Sequence, residues 1–137
     1  NSVKLLIENN IVNKKNFKVF RGNPLLLTSP NEIINFFKKL PCDIGFLLDV
    51  GHLKVSSKTE KFDLKKGIIK LNKVTKGYHL SNNNSLEDQN KNFSSKVWFL
   101  KYLKRNLNYY TLEIYNTKLE EIYKTKLMVE NFINKKN

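Results

Sequence analysis

The chain has 137 residues, of which 40% are hydrophobic, and its formal net charge is +13. This length allows one domain with a real core, and the composition excludes a disordered chain. The longest apolar runs are too short to span a membrane, and there is no signal-peptide pattern. Since Cys42 is the only cysteine, an internal disulfide is excluded, and we expect a reducing, cytoplasmic setting.

The positive charge does not by itself indicate a nucleic-acid-binding protein. Nearly all cations are lysines spread along the chain, and Arg21 and Arg105 are the only arginines. Arginine is the residue that most often reads bases and binds phosphate with two hydrogen bonds. The combined excess of Lys and Asn is what AT-rich codons produce. The composition therefore disfavours a dedicated nucleic-acid function.

The first predicted strand covers residues 3–7 and ends at the carboxylate of Glu8. A long connection follows over residues 11–29, and loops of this length are often functional. Ser29 and Pro30 then begin a predicted helix, because serine caps helices and proline favours the first turn.

The second predicted strand, residues 43–48, is the clearest feature of the sequence. Its continuous apolar run is typical of a buried parallel strand, and it leads directly to Asp49. Asp49 is either a metal ligand or acid/base group at the strand's carboxyl end, or the cap of a helix that begins near Leu53. We expect His52 in the loop between strand and helix.

Two further strands are predicted in the second half of the chain. The third covers residues 76–81 and contains His79, after a segment, 67–74, whose pattern is ambiguous. A polar loop and a helix over residues 94–103 precede the fourth strand, residues 109–115, which has Glu113 near its end. An amphipathic helix over residues 118–134 closes the chain.

This order repeats a strand followed by a helix, which implies parallel strands joined by crossover helices. Each strand ends with one chemically active side chain, and these are Glu8, Asp49, His79 and Glu113. A curved parallel sheet would bring the four residues to one mouth. Three carboxylates and an imidazole suit Mn²⁺, Mg²⁺, Co²⁺ or Zn²⁺, so we predict a divalent metal site.

The residues around these positions resemble the xylose isomerase-like superfamily of sugar phosphate isomerases and epimerases. Its Asp-x-x-His element is matched by residues 49–52, and its His-Leu-Ser/Asn-Asp element by residues 79–82, with Asn82 in place of Asp. Glu8 and Glu113 match its first and last ligands. The resemblance covers nearly the whole chain and implies an incomplete domain, residues 1–137, made of the last four βα units of a (β/α)₈ TIM barrel.

The resemblance also implies what these residues do. Glu8, Asp49, His79 and Glu113 would bind the metal, and Glu8 and Glu113 would also exchange protons with the sugar. His52 would hydrogen-bond a substrate oxygen, beside Asn10 and Asn82 as further substrate contacts. The enzyme would belong to carbohydrate metabolism and act through an enediolate, a step that needs charge stabilisation and a pair of carboxylates.

Other functions stay open at this point. One is a zinc AP-endonuclease-like DNA repair nuclease of the same superfamily, although such a site uses more histidines than His52 and His79. Another is a non-catalytic barrel fragment, because fold does not imply function. The chain has no initiator Met, so we expect an N-terminal half of the barrel elsewhere in a longer gene product. A homo-oligomer is the further partner considered.

Overall fold

In the described part of the chain, four parallel strands form one sheet in the order in which they occur in the sequence. The computed structural model describes residues 4–135, so residue 3 of the first predicted strand lies outside the described range. The strands are β1 Leu5–Glu8, β2 Ile44–Asp49, β3 Thr75–Leu80 and β4 Tyr109–Leu112. The prediction of an α/β fold with a parallel sheet is confirmed.

Within residues 4–135, five helices connect or follow the strands. They are α1 Lys14–Val19, α2 Pro30–Phe37, α3 Val50–Glu60, α4 Leu64–Leu71 and α5 Leu119–Asn134, and a 3₁₀ turn lies at Leu100–Tyr102. Ser29 is the N-cap residue of α2, with Pro30 in its first turn, as predicted. Among residues 4–135 we find no helix with the length and apolar composition that a bilayer crossing requires.

Three sequence-based assignments were wrong or incomplete. The connection over residues 11–29 contains α1, which Asn13 caps by accepting a hydrogen bond from the backbone of Asn16. The ambiguous segment belongs largely to α4, which begins earlier than that segment because Asp63 caps it. The predicted helix at 94–103 is irregular apart from its single 3₁₀ turn.

The helices cover one face of the sheet. Alternate residues of β2 and β3 point into the helical layer and are fully buried, and these are Phe46, Leu48, Tyr78 and Leu80. The opposite face carries Leu6 and Leu47, which are half-buried, and Tyr109, which is exposed. Leu47 lies across Gly77, where an added Cβ would come within 3.0 Å of its Cδ1 atom. The sheet therefore has one packed face and one open face.

The strand register sets the position of the polar residues. Asp49 pairs with His79 across β2 and β3, and His79 pairs with Thr111 across β3 and β4. Glu8 pairs with Leu47, two residues before Asp49. Paired and alternate residues share a face, so the active side chains lie at the carboxyl ends of the strands on the open face.

Candidate functional site

The four predicted ligands meet at one rim of the sheet. Glu8 and Asp49 are the last residues of β1 and β2, His79 is the last but one of β3, and Glu113 directly follows β4. One potential ligand atom from each residue lies within 4.8 Å of those from the other three. We call these four residues the ligand cluster.

His79 lies between the two glutamates of the ligand cluster. Its Nδ1 atom is 3.4 Å from Glu8 Oε1 and 3.2 Å from Glu113 Oε2. Neither contact is aligned as a hydrogen bond, and His79 Nδ1 and Glu113 Oε2 are buried without a hydrogen-bond partner among the described residues. Such buried unpaired atoms are costly, and a ligand is one established reason for them.

The two oxygens of Asp49 have different partners. Oδ1 accepts a hydrogen bond of 2.6 Å from the backbone N–H of His52 and so caps α3. Oδ2 is buried without a hydrogen-bond partner in the described part of the chain. The cap and the ligand interpretations of Asp49 are therefore compatible, because each uses a different oxygen.

Burial controls the charge of Asp49. Removal from water raises the pKa of this carboxyl to about 7, and the nearby Glu8 carboxylate acts in the same direction, while His52 acts against it. The pKa of the His79 imidazole is also raised, first by Glu8 and then by the charges of Glu113 and Asp49, although burial opposes them. Ionised carboxylates this close to one another repel, and a bound cation would offset that repulsion.

The prediction that His52 lies in a loop is wrong. Helix α3 begins immediately after Asp49, and His52 lies in its first turn. The ring nonetheless points toward the rim. Its Nδ1 lies 2.8 Å from the backbone oxygen of Asn9 and 3.4 Å from Glu8 Oε1, and its Nε2 lies 3.1 Å from Asp88 Oδ2. Against the opposing effect of burial, the hydrogen bond to Asp88 and the charge of Asp49 raise the pKa of His52 to about 9. The imidazole is therefore protonated at neutral pH.

The two asparagines predicted to contact substrate have protein partners. Asn10 is exposed, and its side-chain amide donates to the backbone oxygen of Leu26 at 2.9 Å. Asn82 Oδ1 accepts from Lys54 Nζ at 2.9 Å, and the same ammonium also donates to the backbone oxygen of Asn83. Lys54 is thus held by amide and carbonyl oxygens of the loop that follows β3.

Sequence reasoning missed three residues that support the site. The buried Asn9 accepts from the backbone N–H of Asp49 at 2.8 Å and donates to its backbone oxygen at 3.1 Å. Asp88 pairs with His52, and the Tyr115 hydroxyl donates to Glu113 Oε1 at 3.0 Å. The position of Asn9 directly after Glu8 could have identified it from the sequence. Asp88 and Tyr115 could not be identified in this way, because no regular spacing relates them to the ends of the strands.

The geometry of the ligand cluster fits a divalent cation. Ligand atoms about 2.0–2.3 Å from a common centre lie up to roughly 4.6 Å from one another, close to the observed limit of 4.8 Å. Three of the four residues, namely Asp49, His79 and Glu113, supply a buried atom without a hydrogen-bond partner among residues 4–135. Tyr115 occupies one oxygen of Glu113 and leaves the other directed at the cluster.

Comparisons with known proteins give no independent indication of family. No protein-family model matches the chain, and no curated protein or solved structure is similar to it.

Proposed function

We propose that the ligand cluster holds one divalent metal ion and that the protein is a metal-dependent sugar or sugar-phosphate isomerase or epimerase. The observation that carries the proposal is the convergence of Glu8, Asp49, His79 and Glu113, with buried unpaired atoms directed into the space between them. A purely structural cluster would satisfy these atoms with protein hydrogen bonds. The site also lies at the carboxyl ends of parallel strands, where α/β proteins bind ligands.

Each residue of the site has a separate role in removing a proton from, and returning it to, the carbon next to a carbonyl group. When bound, the cation supplies positive charge that stabilises the negative charge developing on the substrate oxygens. Glu8 ends the first strand and Glu113 directly follows the last, so they flank the substrate, and one acts as base while the other acts as acid. Asp88 keeps His52 protonated in the free protein. When substrate binds, the His52 N–H breaks its hydrogen bond to Asp88 and donates to a substrate oxygen instead.

Calorimetric titration of Mn²⁺ into the protein tests the metal site. We expect binding at one site and its loss in Asp49→Asn and in Glu113→Gln. The Asp49 variant is informative because asparagine caps a helix as well as aspartate does, so α3 keeps its N-cap. Glu130→Gln is the matched control, because Glu130 pairs with Lys126 on the exposed surface of α5. Absence of binding in the intact protein, or unchanged binding in both site variants, overturns the proposal.

Deuterium incorporation from D₂O tests the reaction. A panel of aldoses, ketoses and their phosphates is incubated with the Mn²⁺-loaded protein, and exchange next to the carbonyl is followed by NMR. We expect exchange for at least one member of the panel and its loss in Glu8→Gln. If the protein binds metal but catalyses exchange for no sugar in the panel, the metal site stands and the isomerase assignment is refuted.

A further inference from the structure

A cleft of about 660 Å³ lies between the irregular segment that precedes β4 and the last turns of α5. Its lining comes from residues 95–101 on one side and residues 128–135 on the other, together with Lys65 of α4. It shares no residue with the ligand cluster. Small-molecule sites have volumes of roughly 300–1,000 Å³, so this cleft is large enough to be one. We call it the lysine cleft.

Part of the lysine cleft is an apolar wall. Trp98, Met128 and Phe132 line it, and all three are half-buried and pack against the hydrophobic core. The Trp98 ring meets the ring of the fully buried Phe99 edge-on, with centroids 5.5 Å apart and 90° between the planes. Because Phe99 is fixed in the core, this contact restricts the orientation of the indole. Aromatic rings and thioethers pack favourably against other rings, so the wall favours a flat ligand.

The charged side chains that line the lysine cleft in the described structure are all cationic, and they are Lys65, Lys96, Lys101 and Lys135. Two other clefts differ, because Asp63 lines one of them and Glu130 the other, beside lysines. The Arg105 guanidinium lies 4.5 Å from the centroid of the Phe132 ring and donates to the Lys135 backbone oxygen at 3.2 Å. It thereby offsets the negative end of the α5 dipole. The cleft therefore has a positive potential that attracts anions.

The lysine cleft also has a buried donor without a partner. The indole N–H of Trp98 is buried and has no acceptor within the described range. An indole nitrogen can only donate, so no other arrangement of this group satisfies it. Buried unpaired donors cost stability, and a ligand that supplies an acceptor is one established reason for them. Since Trp98 lines the cleft, a ligand bound there is placed to supply that acceptor.

We propose that the lysine cleft binds an aromatic anion, meaning a flat ring system that carries a carboxylate, phosphate or sulfonate group. The ring packs against Trp98, Met128 and Phe132, and a ligand oxygen or ring nitrogen accepts the hydrogen bond of the Trp98 indole. The anionic group pairs with the lysines. Exposed ion pairs contribute little by themselves, so the ring and the charge must act together.

Fluorescence titration of the whole chain with anilinonaphthalene sulfonate tests the proposal, because this probe is an aromatic anion and Trp98 is the only tryptophan. We expect one bound probe per chain and a loss of Trp98 emission through energy transfer to the probe. The affinity should fall several-fold as NaCl rises from about 50 mM to about 500 mM. Phenylnaphthylamine, which has the same rings without the sulfonate, should bind about tenfold more weakly and without salt dependence.

The double variant Lys101→Gln, Lys135→Gln should weaken probe binding about fivefold or more, because it removes two of the four lysines. The matched control is Lys14→Gln, Lys15→Gln, which removes the same charge from exposed positions of α1. Helix α1 follows β1, which lies at the opposite side of the sheet from β4. All four lysines are exposed, so both variants should keep the fold, which circular dichroism checks.

Trp98→Phe tests the unpaired donor, because phenylalanine keeps the apolar contact and lacks the N–H. Followed by probe emission, this variant should bind about threefold more weakly. Four results overturn the proposal: no binding of the probe, equal affinity for phenylnaphthylamine, unchanged affinity in Lys101→Gln, Lys135→Gln, or unchanged affinity in Trp98→Phe. None of these measurements depends on metal binding, so the outcome is separate from that of the proposed function.

Discussion

Two groups of polar residues meet at the carboxyl ends of the strands, and they differ in how many of their buried polar atoms have hydrogen-bond partners. In the ligand cluster, Asp49, His79 and Glu113 each keep a buried atom without a hydrogen-bond partner in the described residues. Beside it, Asn9, His52, Asp88 and Asn83 form what we call the bracing network. Asn9 binds both backbone groups of Asp49, and Asn83 donates to the backbone oxygen of Gly51 at 2.9 Å.

The difference separates groups that hold the fold from groups that are available to bind a cation. A satisfied polar network makes the local structure rigid, whereas unpaired buried atoms cost stability unless a ligand completes them. We therefore expect changes in the bracing network to lower stability first, and changes in the ligand cluster to alter metal binding and pH dependence first. The following predictions test this division, beginning with the largest effect.

The stability of the metal-free protein should fall as pH rises from about 4 to about 9. The pKa of Asp49 is raised from 3.8 to about 7 by burial, so its stabilising contribution is complete below pH 3.8 and is lost as pH approaches 7. The pKa of His52 is raised from 6.5 to about 9, so its contribution is lost between those values. Because the charge of Asp49 is one cause of the raised pKa of His52, the two contributions are coupled, and the whole decline in the free energy of unfolding should amount to a few kcal/mol.

Urea unfolding in the presence of a chelator, at several pH values, measures this effect. Asp49→Asn should flatten the curve between pH 4 and 7 and also weaken the decline toward pH 9, because the charge of Asp49 is one of the causes that raise the pKa of His52. Asp63→Asn is the control, because Asp63 caps α4 in the same way but is exposed, with its pKa lowered by hydrogen bonds from the backbone of Lys66 and Lys65. A stability that increases with pH across this range would contradict the assignment.

Asn9→Ala should lower the free energy of unfolding by about 2 kcal/mol, because it leaves the buried backbone groups of Asp49 without their partner. The control is Asn10→Ala, at an exposed residue that makes one side-chain hydrogen bond to Leu26, where a loss of about 0.5 kcal/mol is expected. Urea unfolding at fixed pH compares the two. Equal losses would show that Asn9 does not brace the site.

Tyr115→Phe should weaken Mn²⁺ binding about tenfold and leave the free energy of unfolding essentially unchanged. The hydroxyl orients Glu113 by donating to one of its oxygens, and Tyr115 itself is largely exposed. Tyr123→Phe, at another exposed tyrosine, is the matched control. Calorimetry with both variants measures the affinity for Mn²⁺. An unchanged affinity in Tyr115→Phe would show that the Tyr115 hydroxyl plays no part in metal binding.

The smallest effect is expected for Lys54→Met, which removes the contacts of the ammonium with Asn82 and Asn83. The loss of these hydrogen bonds is partly offset because burial of the ammonium, which lowers its pKa, already opposes its charge, so the net loss should be about 0.5–1 kcal/mol. Lys58→Met, on an exposed position of the same helix, should have no measurable effect. Thermal unfolding of the two variants, compared with wild type, gives the difference.

The strands and their active ends could be predicted from the sequence because continuous apolar runs followed by a polar residue leave few alternatives. Asp49, His79, Glu8 and Glu113 were all identified in this way, and the structure brings them together. The repeated βα order also determined that the strands are parallel. These signals are local, so no knowledge of tertiary contacts was needed.

The errors arose where tertiary contacts decide the local structure. Gly67 makes α4 a poor helix by propensity, yet a Cβ there would come within 3.2 Å of Pro30 and 3.4 Å of Phe62, so close packing favours glycine. The predicted helix at 94–103 forms only a single 3₁₀ turn, and the backbone groups at the end of this segment bond to other elements. The Tyr102 oxygen accepts from Asn72 at 2.7 Å, and the Lys104 N–H donates to the Tyr78 hydroxyl at 3.1 Å.

The double use of Asp49 has a kinetic consequence. One of its oxygens anchors the first turn of α3 and the other is directed into the ligand cluster, so the carboxylate cannot swing away without breaking the start of a helix. A bound cation would therefore be released only together with fraying of that turn. We expect the ion to dissociate slowly and in step with local opening of α3, rather than through independent motion of a single side chain.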